Sequence, residues 1–275
     1  MKKAIINGII KNSSVDGPGN RLVVFFQGCN INCLYCHNPE TINFCNSCGL
    51  CVEKCPVSAL ELVDKTLVFK KDLCTNCDLC IKTCKRNSSP KTIMYTSDEL
   101  LKIIKIYKLF IRGITFSGGE CTLHSDFIIE IANKIKELGL DIYIDTNGKW
   151  DAVKEEKLIA NTTMFMLDIK AWDEEEHIKL TGFNNTDIKR NLGILIEKNK
   201  LFEVRTVVIP YFLDNNKTVS EVSKLIKDKN IRYKLIKYRK HGVRGEMDFQ
   251  SPNDEYMEEL KKLAKNIGVE DVVII

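Results

Sequence analysis

The sequence predicts an α/β protein with a partial (β/α)6 TIM-like barrel and a cysteine-rich insert after the first strand of that barrel. The first observation behind this prediction is a repeated alternation of apolar, β-rich segments with amphipathic helices through residues 91–275. Repeated strand–helix units of this length form parallel sheets with right-handed crossovers. The second observation is that eleven of the twelve cysteines lie between Cys29 and Cys84. We therefore assign residues 1–42 and 91–275 to the barrel and residues 43–90 to the insert.

Composition and charge exclude several classes of protein. The net charge is +4 and the basic residues are dispersed, which argues against a nucleic-acid partner. No segment approaches the roughly 20 apolar residues of a membrane span, and the apolar N-terminus is broken by Asn7 and Gly8, unlike a signal peptide. We expect a cytoplasmic monomer without a membrane partner. Because that compartment keeps thiols reduced, the clustered cysteines indicate metal binding rather than disulfides.

The first barrel strand is predicted at residues 22–26, a continuous apolar run of the kind that is buried on both faces. An Asp-Gly-Pro-Gly run at 16–19 predicts a turn before it, and Cys29, Cys33 and Cys36 follow it with the spacing Cys-x3-Cys-x2-Cys. Three thiolates can hold three irons of a [4Fe–4S] cube and leave the fourth iron open, and an open metal site is usually a reactive one. A zinc knuckle or scattered buried thiols are the alternatives.

Two cysteine runs in the insert share the spacing Cys-x2-Cys-x2-Cys-x3-Cys, one beginning at Cys45 and the other at Cys74. This is the spacing of two-cluster ferredoxins, in which the fourth cysteine of each run binds the cluster of the other run. A dicluster ferredoxin-like domain is therefore predicted, with two zinc ribbons as the alternative. Clusters with four protein ligands are typical of electron carriers. The expected ligand sets are Cys45, Cys48, Cys51 and Cys84 for one [4Fe–4S] cluster, and Cys74, Cys77, Cys80 and Cys55 for the other.

Further strand–helix pairs follow the insert. A helix is predicted after Ser97-Asp98-Glu99, which are typical capping residues. The predicted strands lie at residues 113–116, 140–144, 164–169, 202–209, 231–236 and 272–275. The other predicted helices lie near residues 125–138, 151–160, 185–199, 217–228 and 253–266.

Polar and glycine-rich segments follow several of these strands, where parallel α/β proteins keep their sites. The Ser-Gly-Gly-Glu segment at 117–120 offers backbone that a ligand's amino group can approach closely. The Asp-Thr-Asn-Gly segment at 145–148 can bind a ribose or a metal ion, or can cap the helix that follows. Cys121 is expected to be a packed thiol, and His124 and His177 are expected to be ordinary surface or helix residues.

Charged side chains are predicted inside the barrel on two strands. Period-two geometry places Met166, Asp168 and Lys170 on one face of a strand, and Arg205 shares its strand face with apolar residues. Because burial of a lone charge is costly, these groups must be paired or functional. A salt bridge that fills the barrel is the alternative to a ligand site. A guanidinium in the barrel suits bidentate binding of a carboxylate or of hydroxyls.

These motifs together resemble the glycyl radical enzyme activating enzymes of the radical S-adenosylmethionine (SAM) superfamily, over roughly residues 10–245. The insert matches the subgroup with two additional ferredoxin-type clusters and disfavours pyruvate formate-lyase activase itself, which lacks them. The motifs are Asp16-Gly17-Pro18-Gly19-x-Arg21, Phe25-Phe26-Gln27-Gly28-Cys29 with the cysteines up to His37-Asn38, the segments 117–120 and 145–148, and Asp168-x-Lys170.

The resemblance implies an oxidoreductase that reductively cleaves SAM to a 5′-deoxyadenosyl radical, which removes hydrogen from a glycine of a partner enzyme and so generates its glycyl radical. It implies three [4Fe–4S] clusters, SAM and a monovalent cation as cofactors. The implied partners are a glycyl radical enzyme, whose glycine loop is the substrate, and a flavodoxin- or ferredoxin-type reductant. Because SAM and the cluster of Cys29, Cys33 and Cys36 carry the chemistry, no protein side chain is assigned as the catalytic group.

The resemblance also assigns binding residues. One departure from the family is that Arg239 follows Tyr238 where the family often has histidine, and His241 lies two residues further on. Both lie in a basic loop, so an ordinary surface loop is the alternative for them. The expected SAM contacts are Tyr35, Cys36, His37, Gly118, Gly119, Glu120, Asp145, Asp168, Ile169, Lys170, Arg205, Arg239 and His241. The expected cation ligands are Asp145, Thr146, Asp168 and the carbonyl of Met166.

Two other functions stay open at this point. One is a radical SAM enzyme that acts on a small molecule or a modified nucleotide. The other is an iron–sulfur electron carrier or sensor. The charged residues at several strand ends argue against the carrier, since it has no need of them.

Overall fold

The structure is a computed structural model that describes residues 1–245 and 247–275. Its contacts divide the chain into two compact units. The first unit comprises residues 1–30 and 38–140, and the second comprises residues 31–37 and 141–275. No helix in the described part of the chain is long and apolar enough to cross a membrane.

The first unit contains a four-stranded sheet and a separate hairpin among its described residues. Its strands are β1 (Lys3–Ser13), β2 (Arg21–Phe26), β3 (Leu60–Val63), β4 (Thr66–Phe69), β5 (Ile93–Thr96) and β6 (Gly113–Gly118). Its helices are α1 (Leu79–Thr83), α2 (Ser97–Tyr107) and α3 (Ser125–Ile135), with short 3₁₀ helices at Pro39–Thr41, Lys71–Leu73, Cys121–His124 and Lys136–Leu138. The sheet order is β6–β2–β1–β5, and β3 pairs with β4 in the hairpin.

The predicted strands β2 and β6 are confirmed and pair in parallel. Strands β1 and β5 were not predicted, and β1 runs antiparallel to both β2 and β5. The apolar alternation of β1 is interrupted at Asn7 and Gly8, and its C-terminal half is largely exposed. Strand β5 has only four residues, too few for a periodic pattern to be visible.

The start of α2 lies one residue earlier than the predicted capping residues. Thr96 is the N-cap residue, and its hydroxyl oxygen accepts a hydrogen bond from the backbone N–H of Glu99 at 3.2 Å. The Glu99 carboxylate in turn accepts from the backbone N–H of Thr96 at 2.8 Å. This reciprocal pair is a capping box, and it makes Ser97 the first residue of the helix rather than its cap.

Arg21 fixes the entry into β2, although the sequence placed it in a family motif without a role. The side chain is fully buried, and its guanidinium donates to the hydroxyl of Thr115 at 2.7 Å, the carbonyl of Ile114 at 2.9 Å and the carbonyl of Pro18 at 3.1 Å. These bonds join β2 to β6 and to the Asp-Gly-Pro-Gly turn. The buried charge is thereby surrounded by acceptors, which a buried arginine requires.

The second unit contains a sheet of five parallel strands, whose order in the sheet is their order in the sequence. The strands are β7 (Asp141–Thr146), β8 (Met164–Asp168), β9 (Leu201–Val208), β10 (Arg232–Lys237) and β11 (Val272–Ile274). The helices are α4 (Glu156–Asn161), α5 (Glu174–Thr181), α6 (Thr186–Glu197), α7 (Asn215–Ile226) and α8 (Asp254–Ile267). All five strands were predicted to within two residues at each end.

Two helices of the second unit differ from the prediction. Helix α4 begins at Glu156 rather than near residue 151, because residues 152–155 form turns in which the Asp151 carboxylate accepts from the backbone N–H of Val153 at 3.2 Å. Helix α5 was not predicted. It begins with three glutamates and buries only His177, Leu180 and Thr181, so its apolar face is too narrow to show a helical period.

The sheet of the second unit could be predicted because its strands contain continuous apolar runs, in which apolar and polar residues do not alternate. Phe165, Met166 and Leu167 are consecutive in β8, and all three are fully buried. Side chains alternate between the two faces of a strand, so both faces of β8 are covered. Such continuous apolar runs are typical of parallel strands.

The end of β6 packs its backbone directly on the end of β2. The N–H of Gly119 donates to the carbonyl of Phe26 at 3.0 Å, and the N–H of Glu120 donates to the carbonyl of Gly28 at 2.8 Å. A Cβ atom on Gly118 would lie 2.2 Å from the Phe26 nitrogen, and one on Gly119 would lie 2.1 Å from the Gly28 oxygen. The paired glycines are therefore required by backbone packing, whatever else they contact.

We expect Gly119→Ala to lower the free energy of unfolding by about 2–3 kcal/mol, because the added methyl group meets backbone that cannot move aside like a side chain. Urea unfolding measures this change. The matched control is Gly193→Ala in α6, where a Cβ would meet nothing within 4 Å. It should raise stability by about 0.5–1 kcal/mol through helix propensity. Equal effects of the two substitutions would contradict this account.

Candidate active site

The last turn of α5 holds part of the cysteine loop in the second unit. The N–H of Asn32 donates to the carbonyl of Thr181 at 3.1 Å, and the N–H of Leu34 donates to the carbonyl of Leu180 at 2.9 Å. Carbonyls in the last turn of a helix have no partner within the helix, so they are available to fix a loop that has no secondary structure of its own. The loop between Cys33 and Cys36 is thus attached to an element that the sequence did not reveal.

The loop after β10 contacts the same segment. The imidazole Nε2–H of His37 donates to the backbone carbonyl of Arg239 at 2.8 Å. A Cβ atom on Gly242, which has a φ of +79°, would lie 2.2 Å from the carbonyl oxygen of His37. Arg239 thus reaches the predicted site through its backbone, while the side chains of Arg239 and His241 are exposed. Burial lowers the pKa of His37, which favours the neutral donor form.

Lys170 lies at the centre of the predicted SAM residues of the second unit. Its ammonium nitrogen is 2.9 Å from the Asp168 carboxylate and 3.4 Å from the hydroxyl of Tyr35, and it lies 5.5 Å from the centroid of the Tyr35 ring. The Lys170 side chain is only 8% exposed, whereas that of Asp168 is 31% exposed. The salt bridge that the sequence left as an alternative is therefore present, and the carboxylate in it remains partly open to solvent.

Electrostatics keep this lysine charged. Burial opposes the ammonium form, but Asp168 and Tyr35 together hold the pKa of Lys170 well above its ordinary value. Burial also raises the pKa of the nearby Cys33 thiol to about 11, although the positive charge of Lys170 acts in the opposite direction. An ammonium group that is largely excluded from solvent and lies next to the cysteine loop suits the binding of a carboxylate.

The guanidinium of Arg205 contacts three other strand residues. Its Nε donates to the Glu203 carboxylate at 2.6 Å, one terminal nitrogen lies 2.9 Å from the Asp145 carboxylate, and the other donates to the sulfur of Met166 at 3.0 Å. Burial opposes the charge, but Asp145 and Glu203 raise the pKa of Arg205 above its ordinary value. The structure thus brings together Arg205, Asp145 and Met166. The sequence analysis assigned all three to the site, but it assigned Met166 through its carbonyl, whereas the observed contact is through its sulfur.

Glu203 was missed by the sequence analysis. Its side chain is 1% exposed and accepts from Arg205, and the same carboxylate oxygen lies 2.8 Å from the ammonium of Lys234, while Arg232 lies 3.9 Å from the other oxygen. Lys234 is directly opposite Arg205 in the pairing of β10 with β9. The signal was present, because Glu203 and Arg205 lie two residues apart on one face of an otherwise apolar strand.

In the turn after β7, side-chain oxygens accept hydrogen bonds from backbone N–H groups of the same turn. The Thr146 hydroxyl accepts from the N–H of Gly148 at 3.1 Å, and the Asn147 side-chain oxygen accepts from the N–H of Lys149 at 2.8 Å. The two carboxylates predicted to bind a monovalent cation, Asp145 and Asp168, already face Arg205 and Lys170. A monovalent cation at this position would share these carboxylates with Arg205 and Lys170.

The first unit holds Cys29 and the glycine-rich segment. The N–H of Cys29 donates to the carbonyl of Ile42 at 2.9 Å. The Gln27 side chain donates to the carbonyls of Glu40 at 2.8 Å and Asn43 at 2.6 Å. The Glu120 carboxylate is 1% exposed and accepts from the hydroxyl of Thr122 at 2.7 Å. Gln27 and Glu120 thus shape the loop, and Gly118 and Gly119 support it through the backbone packing described above.

Two cavities are lined by different sets of the cysteines of residues 43–90, and all twelve cysteines of the chain are free thiols. The partition follows the crossed pattern of the sequence analysis, because the last cysteine of each run lines the cavity of the other run. Among the described residues, no three His, Cys, Asp or Glu side chains converge closely enough to hold a metal ion. One cavity is lined by Cys45, Cys48, Cys51 and Cys84, and the other by Cys55, Cys74, Cys77 and Cys80.

The remaining residues singled out in the sequence have structural contacts. Ile169 is buried, and its N–H donates to the carbonyl of Arg205 at 2.8 Å. Cys121 is fully buried and is the packed thiol that was expected. The two histidines are helix residues, one of the two expected settings, because His124 ends the 3₁₀ helix at Cys121–His124 and His177 lies in α5. The His124 ring lies 4.7 Å from that of Phe26 in a stacked arrangement, and His177 is fully buried.

Comparison with known proteins identifies the family. The family model for the radical SAM superfamily matches residues 23–227. Trans-4-hydroxy-L-proline dehydratase activating enzyme of Clostridioides difficile is 32% identical over 295 aligned positions, covering 96% of each protein. Pyruvate formate-lyase-activating enzyme of Clostridium pasteurianum is 29% identical over 272 aligned positions, covering 94% of this chain and 95% of that protein.

The structural comparison bears on the fold alone. The crystal structure of QueE from Escherichia coli matches with a TM-score of 0.58 at 14% identity, covering 99% of this chain and 94% of that chain. The fold is therefore a mixed α/β radical SAM fold with a parallel sheet. The chain belongs to the radical SAM superfamily and, within it, to the activating enzymes that use SAM chemistry to generate a glycyl radical.

Proposed function

We propose that the second unit binds the amino acid end of SAM at the carboxyl edge of β8 and β9, beside the cysteine loop. The observation that carries this proposal is the buried ammonium of Lys170, which lies 2.9 Å from Asp168 and 3.4 Å from the Tyr35 hydroxyl. Burial of a charge at this depth carries a large desolvation cost, so such a charge is usually paired or functional. Perturbed charges of this kind are enriched at functional sites.

The charge balance of this edge suits a zwitterionic ligand group. The ion pairs closer than 3 Å described above contain three protein cations and three carboxylates, and Arg232, which lies 3.9 Å from Glu203, is itself paired with Asp271 at 2.9 Å. The set therefore has no surplus charge to neutralise. A group with one ammonium and one carboxylate can exchange partners with this set and leave the balance unchanged. The cations are Lys170, Arg205 and Lys234, and the carboxylates are Asp145, Asp168 and Glu203.

Individual residues have distinct tasks in this proposal. Lys170 and Arg205 supply positive charge for the ligand carboxylate, and Asp168 accepts from the ligand ammonium or hydroxyls. The terminal nitrogen of Arg205 that rests on the Met166 sulfur is the one best able to turn to a ligand, because a thioether is a weak acceptor. When bound, SAM undergoes one-electron reductive cleavage, and the cleaved adenosyl group removes a hydrogen atom from a glycine Cα of the partner.

We propose three [4Fe–4S] clusters. Cys29, Cys33 and Cys36 hold the site cluster, which rests on their spacing and leaves one iron for SAM. Residues 43–90 form a ferredoxin-like insert in a partial (β/α)6 barrel made by residues 1–42 and 91–275. The two cysteine-lined cavities support this, because each is lined by three cysteines of one run and one of the other. The monovalent cation stays a prediction from the resemblance, and no role is assigned to it.

The partner is a glycyl radical enzyme, and the electron comes from a flavodoxin- or ferredoxin-type reductant in the cytoplasm. The relatives include activating enzymes named for a hydroxyproline dehydratase and for pyruvate formate-lyase. Both partner enzymes are therefore tested first. We propose that the activating enzyme acts as a monomer.

Anaerobic reconstitution tests the function as a whole. The protein should bind about twelve irons per chain, as three [4Fe–4S] clusters require, and should form 5′-deoxyadenosine and methionine when it is reduced with SAM present. Addition of the cognate glycyl radical enzyme should give a glycyl radical signal in electron paramagnetic resonance. Absence of SAM cleavage under dithionite would contradict the enzyme function. Deoxyadenosine without a protein radical across a panel of glycyl radical enzymes would favour a small-molecule substrate.

Lys170→Met tests the binding edge. We expect SAM affinity to fall by about tenfold to a hundredfold, because a charge-assisted hydrogen bond contributes roughly 1.5–3 kcal/mol. Equilibrium binding of SAM to the reconstituted, unreduced protein measures this, with iron content as the check on cluster assembly. Lys179→Met is the matched control, since Lys179 is an exposed lysine in the last turn of α5. Equal affinities in the two variants at full iron content would contradict the assignment.

Cys48→Ser combined with Cys77→Ser tests the role of the insert clusters. Each substitution removes one predicted ligand of a different cluster, so the iron content should fall from about twelve to about four. We expect SAM cleavage to persist with dithionite and to be lost with flavodoxin hydroquinone as reductant. Cys121→Ala is the control and should keep all the iron, because Cys121 is a packed thiol. Unchanged cleavage with flavodoxin would exclude an essential relay.

A further inference from the structure

We infer that a cleft behind Tyr211 binds an extended, uncharged peptide segment of the partner enzyme next to its target glycine. This inference rests on the proposed function. The cleft has a volume of about 410 Å³ and lies after the carboxyl end of β9. Asp168 and Lys170 lie at the carboxyl end of the neighbouring parallel strand β8. The cleft is lined by Pro210, Tyr211, Gln250, Ser251, Pro252, Asn253 and Tyr256.

Tyr211 has an unfavourable backbone conformation and an exposed aromatic ring. Its φ angle is +64°, a left-handed conformation that bulky residues rarely adopt, and it is 93% exposed. Among the described residues it therefore combines a strained backbone with a large aromatic group that is not packed in the core. Backbone strain of this kind clusters at functional sites when the surrounding structure imposes it.

The neighbouring residues do impose this conformation. Asn215 is buried, and its side chain donates to the carbonyls of Ile209 at 3.1 Å and Leu213 at 3.0 Å, which closes the turn around Tyr211. Phe212 is anchored on the other side, because its ring lies 4.8 Å from that of Phe249 in an edge-on contact. The turn is held at both ends, so the Tyr211 ring is kept at the edge of the cleft.

The opposite wall is also fixed. Pro252 is buried. The hydroxyl of Ser251 donates to the carbonyl of Tyr238 at 2.8 Å, and Asn253 caps α8 by accepting from the N–H of Tyr256 at 2.8 Å. Gln250 is exposed beside them. A preformed cleft loses little conformational entropy when a ligand binds.

The chemistry of the reaction indicates what occupies the cleft. The reactive group is the Cα of a glycine, which has no side chain to be recognised, so specificity must come from the segment on either side of it. None of the described lining residues is charged. Proline and tyrosine faces pack against an uncharged extended chain, and the Gln250 amide offers both a donor and an acceptor to main-chain groups.

Tyr211→Gly tests this inference, because it should weaken the binding of the partner and at the same time stabilise the fold. Removal of the ring should raise the KM for the partner about tenfold, as truncation of a central aromatic contact does. Release of the left-handed strain should raise the unfolding midpoint by about 2 °C. The rate of SAM cleavage by the holoenzyme with dithionite and no partner should not change. The partner in the assay is the glycyl radical enzyme that the wild-type chain activates, followed by its radical signal.

Three further variants complete the experiment. Tyr211→Phe keeps the ring and should keep the wild-type KM, whereas Gln250→Ala should raise it. Asn199→Gly is the matched control, because Asn199 also has a left-handed φ of +51° but lies at the opposite end of β9. It should leave the KM unchanged. A wild-type KM in both Tyr211→Gly and Gln250→Ala would overturn the peptide cleft, whereas absence of SAM cleavage in the wild type would overturn the proposed function itself.

Discussion

The buried ammonium of Lys170 is the interaction on which the second unit's site depends. It joins Asp168, at the end of β8, to Tyr35 of the cysteine loop. The Asp168 carboxylate supplies the counter-charge that a buried ammonium needs, and the Tyr35 hydroxyl at 3.4 Å adds a polar contact with the loop. Lys170 thus contributes to the position of the loop together with the α5 carbonyls that accept from Asn32 and Leu34. In the proposed function, the residue that binds the ligand therefore also helps to order this loop.

A second set of charges extends this arrangement across the sheet. Glu203 lies between Arg205 and Lys234, and Arg205 continues the chain of contacts to Asp145. In the low dielectric of the interior these ion pairs are strong, and each one restricts the side-chain conformation of the residues in the next pair. Arg205 can exchange one partner for a ligand because Glu203 and Asp145 keep the rest of its guanidinium in place. A cofactor site requires binding side chains that are held in position by neighbouring groups.

Sequence patterns predicted the parallel strands because those strands are apolar on both faces, as in β8, where Phe165, Met166 and Leu167 are all buried. They did not predict β1, which has an interrupted pattern, or α5, which buries few residues. The face shared by Asp168 and Lys170 followed from strand periodicity. The role of Glu203 depends on its approach to Lys234 in the neighbouring strand, and single-strand periodicity does not specify which charges meet between strands.

The structure also separates residues that shape the site from those with polar groups available to a ligand. Arg21, Gln27 and Glu120 are each about 99% buried or more, and their polar atoms bind backbone, hydroxyl or side-chain amide groups. Gly118 and Gly119 allow two backbones to touch. Substitution of these residues would therefore alter the geometry of the loop. Asp168, which is 31% exposed, and Arg205, which rests partly on a weak sulfur acceptor, have the capacity to exchange partners. In the proposed function, recognition of SAM therefore depends mainly on these two residues with Lys170, and the motif residues fix the loops around them.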